Sequence, residues 1–221
     1  MANVEATQLN TAGTGSSGSS FNTASINFPA QRFILAAVGS DNGGGTARTT
    51  TLSGASLTWT EVTNVTPGTG RRITLFRAVT AGATSGAITV THSGTASDGT
   101  NWSFTSFKNV DMTGTNGSNG VVQTATNTGS MVMSLTATLG AFTSADNATY
   151  GSIFINANFS ITEGTGFTEL GEDNTLRSIE SEFRVDNDTT VNWTWGSNAV
   201  AMGIGVELKY LLPSAGFLAL F

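Results

Sequence analysis

The sequence predicts an all-β fold, an antiparallel, jelly-roll-like β-sandwich of about ten to twelve strands. Three observations carry that prediction. From Phe21 onward, short runs alternate apolar and polar residues and are divided by Gly, Asn, Asp and Ser clusters, the pattern of half-buried strands joined by tight turns. Apolar residues make up 38% of the 221 residues and charged ones only 11%. The surface is therefore left to Thr, Ser, Asn and Gly; Thr packs well on a pleated sheet, and the 27 glycines suit sharp turns. No segment repeats its apolar residues with a helical period.

Along the chain, residues 1–12 carry apolar Val4 and Leu9 and are followed by the Gly/Ser-rich stretch from Gly13 to Ser20. That composition belongs to a flexible linker, so residues 1–20 read as a detachable arm and residues 21–209 as the sandwich domain. Phe33 to Val38 is continuously apolar and predicts a central strand. Further strands are expected at Leu57–Val62, Arg72–Val79, Ala87–His92, Trp102–Phe107, Tyr150–Phe159 and Thr190–Trp195. The clearest alternation runs from Met131 to Leu139, with Met131, Met133, Leu135, Ala137 and Leu139 facing the core. Ser178–Val185 and Val200–Leu208 repeat it. They predict antiparallel strands with one wet face: Ile179, Phe183 and Val185 point inward, and Ser178, Glu180, Glu182 and Arg184 outward.

The turn signals agree, since Asp41-Asn42-Gly43-Gly44-Gly45, Pro67-Gly68-Thr69-Gly70, Asn116-Gly117-Ser118-Asn119-Gly120 and Asp186-Asn187-Asp188 all favour reversals. Pro29, Pro67 and Pro213 fall at strand ends or loops, where a missing backbone donor does no harm. Residues 210–221 are nearly all apolar yet about half the length of a membrane span. Such a tail must be buried, and docking onto a partner subunit is the expectation. Val4, Leu9, Leu211, Leu212, Phe217, Leu218, Leu220 and Phe221 are the candidate subunit contacts.

Charge and cysteine content exclude several functions. A net charge of −6 and a pI near 4.6 argue against wrapping nucleic acid, which needs clustered Lys and Arg. Without cysteine there is no disulfide framework, thiolate zinc site or Cys nucleophile. The N-terminus has neither a basic n-region nor an apolar h-region, and no stretch approaches a membrane span. No cofactor or metal is expected.

Each candidate for chemistry has a plainer structural reading beside it. His92, the single histidine, precedes Ser93, but no Gly-x-Ser-x-Gly elbow accompanies it, and a satisfied core or edge histidine is the expectation. Glu180 and Glu182 lie two apart on one strand face, roughly 6.5–7 Å apart at their origins. Sandwich-fold glycosidases pair two acids in this general manner, though usually across strands, and a solvated face balanced by Arg184 is the alternative. Asp186-Asn187-Asp188 presents oxygens at alternating positions, as calcium sites do and as ordinary hairpin loops do; Glu169, Glu172, Asp173 and Asn174 form a weaker version. Trp59, Trp102, Trp193 and Trp195 read as core. Of these Trp195, if exposed at a strand end, is the first candidate for a glycan contact. Arg71-Arg72 suggests an anion or subunit contact, or simply a solvated strand start.

Four stretches carry a resemblance: Leu57-Thr58-Trp59-Thr60-Glu61-Val62, the run from Gly70 to Ala78, Phe107-Lys108-Asn109-Val110-Asp111, and Asp146-Asn147-Ala148-Thr149-Tyr150-Gly151. Over roughly residues 20–210 the chain resembles a group of mostly uncharacterised β-sandwich virion proteins of tailed bacteriophages and prophages, of decoration or tail/fibre type. The motifs are strand and turn sequences, and they transfer no functional residue. The resemblance implies a non-enzymatic structural protein located in the virion. It would assemble as a homo-oligomer, a trimer as the first guess, on a major capsid or tail protein. The alternatives are a carbohydrate-binding tail or fibre protein that recognises a host receptor and, further off, a sandwich-fold glycosidase.

Overall fold

The computed structural model describes residues 3–68, 70–94 and 98–211. Their strands are antiparallel throughout and divide by halves of the chain. The first half supplies a five-stranded sheet in the order β1-β10-β4-β7-β6, with β1 at Glu5–Thr14, β4 at Arg32–Asp41, β6 at Thr60–Val65, β7 at Arg71–Thr80 and β10 at Gly99–Lys108. The second half supplies a six-stranded sheet in the order β11-β16-β12-β15-β14, with β13 added onto β16. Here β11 is Val121–Thr138, β12 Ala148–Ile155, β13 Ile161–Thr162, β14 Thr168–Asp173, β15 Ser178–Arg184 and β16 Thr190–Leu208. A 3-10 turn at Thr115–Gly120 joins the halves. Two small sheets, β2 (Ser20–Asn22) with β9 (Ile88–His92) and β5 (Thr50–Gly54), and β3 (Ile26–Phe28) with β8 (Thr84–Gly86), lie apart from both. The all-β antiparallel sandwich expected from the alternation is what forms. The two major sheets hold five and six strands, close to the expected number, and the three-residue strands of the small sheets are too short to leave a period in the sequence.

Three apolar layers hold these sheets. Between the major sheets, Phe33, Leu35 and Ala37 of β4, Ile73 and Leu75 of β7 and Phe107 of β10 meet Tyr150 and Phe154 of β12, Ile179 and Phe183 of β15, and Met202, Ile204, Val206 and Leu208 of β16. Gly39 on β4 leaves the room that Phe154 fills, since a Cβ there would come within 2.2 Å of the ring. The opposite face of β4, carrying Ile34, Ala36 and Val38, packs with Phe76, Trp102 and Phe104 beneath Ile26, Phe28, Ile88 and Val90 of the small sheets. This second cover explains why β4 is apolar at every position from 33 to 38: both of its faces are core.

The outer face of the second sheet is covered by the sheet's own strands. β11 and β16 pair along nearly their whole lengths, with register breaks between Gly129 and Ser134. Past those breaks the two-stranded ribbon folds back onto the sheet, and Leu135, Ala137, Val191, Trp193 and Trp195 pack with Ile153, Ile155, Ile161, Phe167 and Ala201. Gly151, Gly203 and Gly205 make the floor. A Cβ at Gly151 would lie 2.4 Å from Val191 Cγ1, and one at Gly203 2.7 Å from the Trp193 ring.

Several expectations are corrected by this arrangement. Residues 5–14 are a paired edge strand, matched to β10 from Glu5–Lys108 through Thr14–Thr100, instead of a detachable arm. Gly13 is required for space there, because its Cβ position is already occupied by Asn101 and Asp173 side-chain atoms. Met131 and Met133, expected in the core, are 69% and 50% exposed. The bulges beside them shift the side-chain parity, and Met131 itself adopts a positive φ of 55°. Thr190–Trp195 and Val200–Leu208 are parts of a single 19-residue strand. Neither β15 nor the Val200–Leu208 half of β16 has a wet face, whereas Val185, placed inward by the alternation, is 51% exposed just past the end of β15.

The glycine floor yields a direct expectation. Gly151→Ala places a methyl group against Val191 and Trp193, an overpacking that costs about 1–3 kcal/mol. A drop of that size in chemical-denaturation stability, with secondary structure retained in far-UV dichroism, checks it.

Candidate functional site

Glu180 and Glu182 are the site the sequence singled out for acid chemistry, and the structure places both inside the protein. On β15 they oppose Ile153 and Gly151 of β12 and Glu172 and Glu169 of β14. The folded-back ribbon closes over them: Val191, Trp193 and the Glu182 side chain converge on Gly151. Neither carboxyl oxygen of Glu180 has a hydrogen-bond partner, nor does Oε1 of Glu182 or Nε1 of Trp193. Oε2 of Glu182 accepts the Gly164 N–H at 2.8 Å. Burial is the main force on both groups. It holds Glu180 well above the usual carboxylate range, with Glu182, Glu169 and Glu163 adding repulsion, and the Trp193 indole only partly opposes it. Burial likewise pushes Glu182 up to about 8, against the Gly164 N–H that favours its anion.

At neutral pH this pair is a protonated, uncharged part of the core. Raised carboxyl groups of this kind serve as general acids in some enzymes. Here both side chains are fully buried, and neither lines the cavity of about 190 Å³ beside Phe107, Val110, Met112 and Leu211 or that of about 310 Å³ beside Phe28, Pro29 and Thr84.

The other candidates are each held by local partners. His92 is buried between two hydroxyls, Thr50 Oγ1 at 3.0 Å from Nδ1 and Thr100 Oγ1 at 2.9 Å from Nε2. Burial lowers its pKa to about 4, so it is a neutral core imidazole. Asp186 and Asp188 lie in the β15–β16 loop and both bind Arg184, at 2.6 and 2.7 Å. Glu172 accepts from Ser160 Oγ and from the Ile161 N–H, tying β13 to β14. Among the described residues no group of three or more acidic or histidine side chains is placed to hold a metal ion. Arg71 reaches Asp41 at 3.3 Å and Arg72 reaches Glu61 at 3.6 Å.

Trp195 is 5% exposed, pairs with Ile161 of β13 and donates its Nε1–H to the Val132 carbonyl at 3.1 Å. The exposure that a glycan contact at Trp195 requires is therefore missing, because β16 continues past Trp195 instead of ending there. Trp102 is buried and donates to Asn10 Oδ1 at 2.9 Å, while Trp59 packs edge-on against Phe28 and Phe104.

Of the expected subunit contacts, Val4 is fully buried in the protein's own inter-sheet core, and Leu9 packs under the first sheet beside Trp102. Val4 is therefore part of the protein's own core, and Leu9 is partly buried against it. Leu211 is 44% exposed, and its N–H donates to the Asn109 carbonyl at 2.8 Å. Leu212, Phe217, Leu218, Leu220 and Phe221 lie outside the described residues.

Three buried carboxylates among the described residues, Asp41, Asp111 and Glu207, escaped the sequence reading; Asp111 accepts from Thr113 and from Lys209 Nζ at 2.9 Å. Asp41 ends β4 and, besides Arg71, binds Arg177 Nε at 2.7 Å, linking the two major sheets. Glu207 accepts from Asn147 Nδ2 at 2.6 Å, Gln123 Nε2 at 2.6 Å and the Thr143 N–H at 3.1 Å, which fastens the loop before β12. The signal available for Glu207 was a lone acid inside Val206-Glu207-Leu208, a position the two-residue period assigns to solvent.

Comparison of the chain with protein-family models, curated protein sequences and solved structures finds no match.

Two outcomes follow. Trp195→Ala costs about 3–5 kcal/mol of unfolding free energy, measurable by denaturant titration, whereas a surface glycan platform would tolerate the change. His92 has a folded pKa below its unfolded value of about 6.5, so the unfolded chain binds more protons. Its contribution is complete above pH 6.5 and is lost as pH falls through 4, at about 1.4 kcal/mol per pH unit. The stability difference between the wild type and His92→Gln, followed from pH 7 to 4, isolates that loss.

Proposed function

We propose that this chain is a structural component of a tailed-phage virion, a capsid decoration protein that assembles as an oligomer through the apolar segment following Tyr210. The observation that carries the reading is that each major sheet is packed on both faces. The acids suited to catalysis are enclosed, and the tryptophan suited to a sugar is core. What the described surface offers is a rigid body with few charges. Its recognition therefore lies at edges and termini, not in a cleft.

The virion setting rests on the resemblance of the strand and turn sequences to tailed-phage proteins. The oligomer rests on the run Leu212 to Phe221, which contains Leu212, Phe217, Leu218, Leu220 and Phe221 and follows a half-exposed Leu211. A continuous apolar stretch of that size is a contact surface in a soluble protein. The shell or tail protein of the particle would be the second partner, bound by polar surface without a cofactor. Tyr210 belongs to the fold, since it bridges Val110 and its N–H donates to Asn147 Oδ1 at 3.0 Å.

Truncation after Leu211 tests the proposal. The shortened chain is expected to keep its dichroism spectrum and melting behaviour while its mass by sedimentation drops to that of a monomer. An unchanged assembly would overturn the reading.

A further inference from the structure

The carboxyl pair lies beneath a separable piece of the fold. Residues 134–138 of β11 and 190–194 of β16 pair with one another, and β13 adds a third strand through Ile161–Trp195 and Thr162–Thr194. This ribbon joins the second sheet through the bulged stretch between Gly129 and Ser134 and the corresponding residues 195–198 of β16, where pairing lapses. Elsewhere it rests on the sheet by side-chain packing over Gly151, Gly203 and Gly205, by the bond from Asn127 Nδ2 to the Thr136 carbonyl at 2.7 Å, and, through β13, by the bonds that Glu172 accepts from Ser160 and Ile161. Its underside is the wall of the Glu180–Glu182 pocket.

We propose that this ribbon is a proton-gated flap: it lies closed on the second sheet while Glu180 and Glu182 are uncharged and lifts, with the rest of the sandwich intact, when both carry charge. The groups that face the pair make the charged state costly from every side. From β14 comes Glu169, itself repelled by Glu172, from the turn after β13 comes Glu163, and from the loop before β16 comes Asp188. Tyr150 of β12 lies on the other face of the sheet, its phenol held neutral by burial, with Glu180 adding repulsion to its anion. The ribbon strands themselves contribute the Trp193 indole and apolar side chains, Leu135, Ala137 and Val191. Arg184, the cation farther along β15, is bound by Asp186 and Asp188 and lies over the Phe167 ring. A charged Glu180 thus finds no aligned donor, and water is the partner that lifting the ribbon supplies.

The sign follows from linkage. Both carboxyls are raised in the closed form, so the closed form binds more protons than the open one. Closure is therefore complete at pH values below the ordinary carboxylate range and weakens as pH rises toward about 8, where Glu182 titrates. Each carboxyl shifts the opening equilibrium about tenfold per pH unit in that window.

Amide hydrogen exchange from pH 6 to 8, expressed as protection relative to an unstructured peptide at the same pH, reads the flap directly. Amides of residues 134–138 and 190–194 are expected to exchange through an opening that leaves β4 amides at least 100-fold more protected. Ribbon protection should fall ten- to hundredfold per pH unit. In the Glu180→Gln/Glu182→Gln double variant that pH slope is expected to vanish. Should the double variant not fold, Glu182→Gln alone removes one factor of ten per unit. Equal protection of ribbon and β4 at every pH, or a slope unchanged in the variants, would overturn the proposal.

Discussion

The folding of the β11–β16 ribbon onto its own sheet governs this structure more than any other contact. Trp193, Val191 and Leu135 can settle only where β12 and β16 present no side chain, and Gly151, Gly203 and Gly205 provide that bare strip. The bend is made possible by bulges between Gly129 and Ser134, one of which puts Met131 into a left-handed conformation at φ 55°. A non-glycine residue held there carries strain. The packing of three aromatic or aliphatic residues beneath it offsets that strain. Once the ribbon is down, everything on the outer face of the second sheet becomes interior, whatever its chemistry.

The buried acids show how differently such interiors can treat a carboxyl group. Asp41 meets two arginines and Glu207 several N–H donors, so each ties separate segments together. Glu180 meets neither cation nor aligned donor and survives burial by keeping its proton. Glu182 is intermediate, with a single backbone N–H. The same residue type thus acts as a clamp in one place and as a neutral, conditional filler in another, according to the donors within reach.

A sandwich so thoroughly covered gives function little room on its faces. The first sheet is roofed by the two small sheets and the second by its own ribbon. The described surface consists largely of edges, turns and polar strand residues poor in charge, with Met131 and Met133 of β11 exposed among them. It also draws attention to Tyr210 and Leu211, after which the sequence continues with an apolar run.

The strand content, the antiparallel pairing and the double burial of Phe33–Val38 were legible in the sequence, because a two-residue period and an unbroken apolar run each reflect burial of local faces. The candidate pair Glu180 and Glu182 was legible as residues on one face, but not as core. Alternation states only that two faces differ, and a polar face covered by a distant segment looks the same as a wet one. Residues 5–14, with Leu9 and Gly13, were misjudged for a related reason: the space and partners that make an edge strand of them come from β10 and β14, about ninety and one hundred and sixty residues away. The sequence by itself determined which segments are strands and where they turn, since those depend on neighbours a few residues apart. Only the tertiary structure decided which strand faces see water and which carboxyls keep their protons, because burial and donor supply are properties of segments brought together from far along the chain.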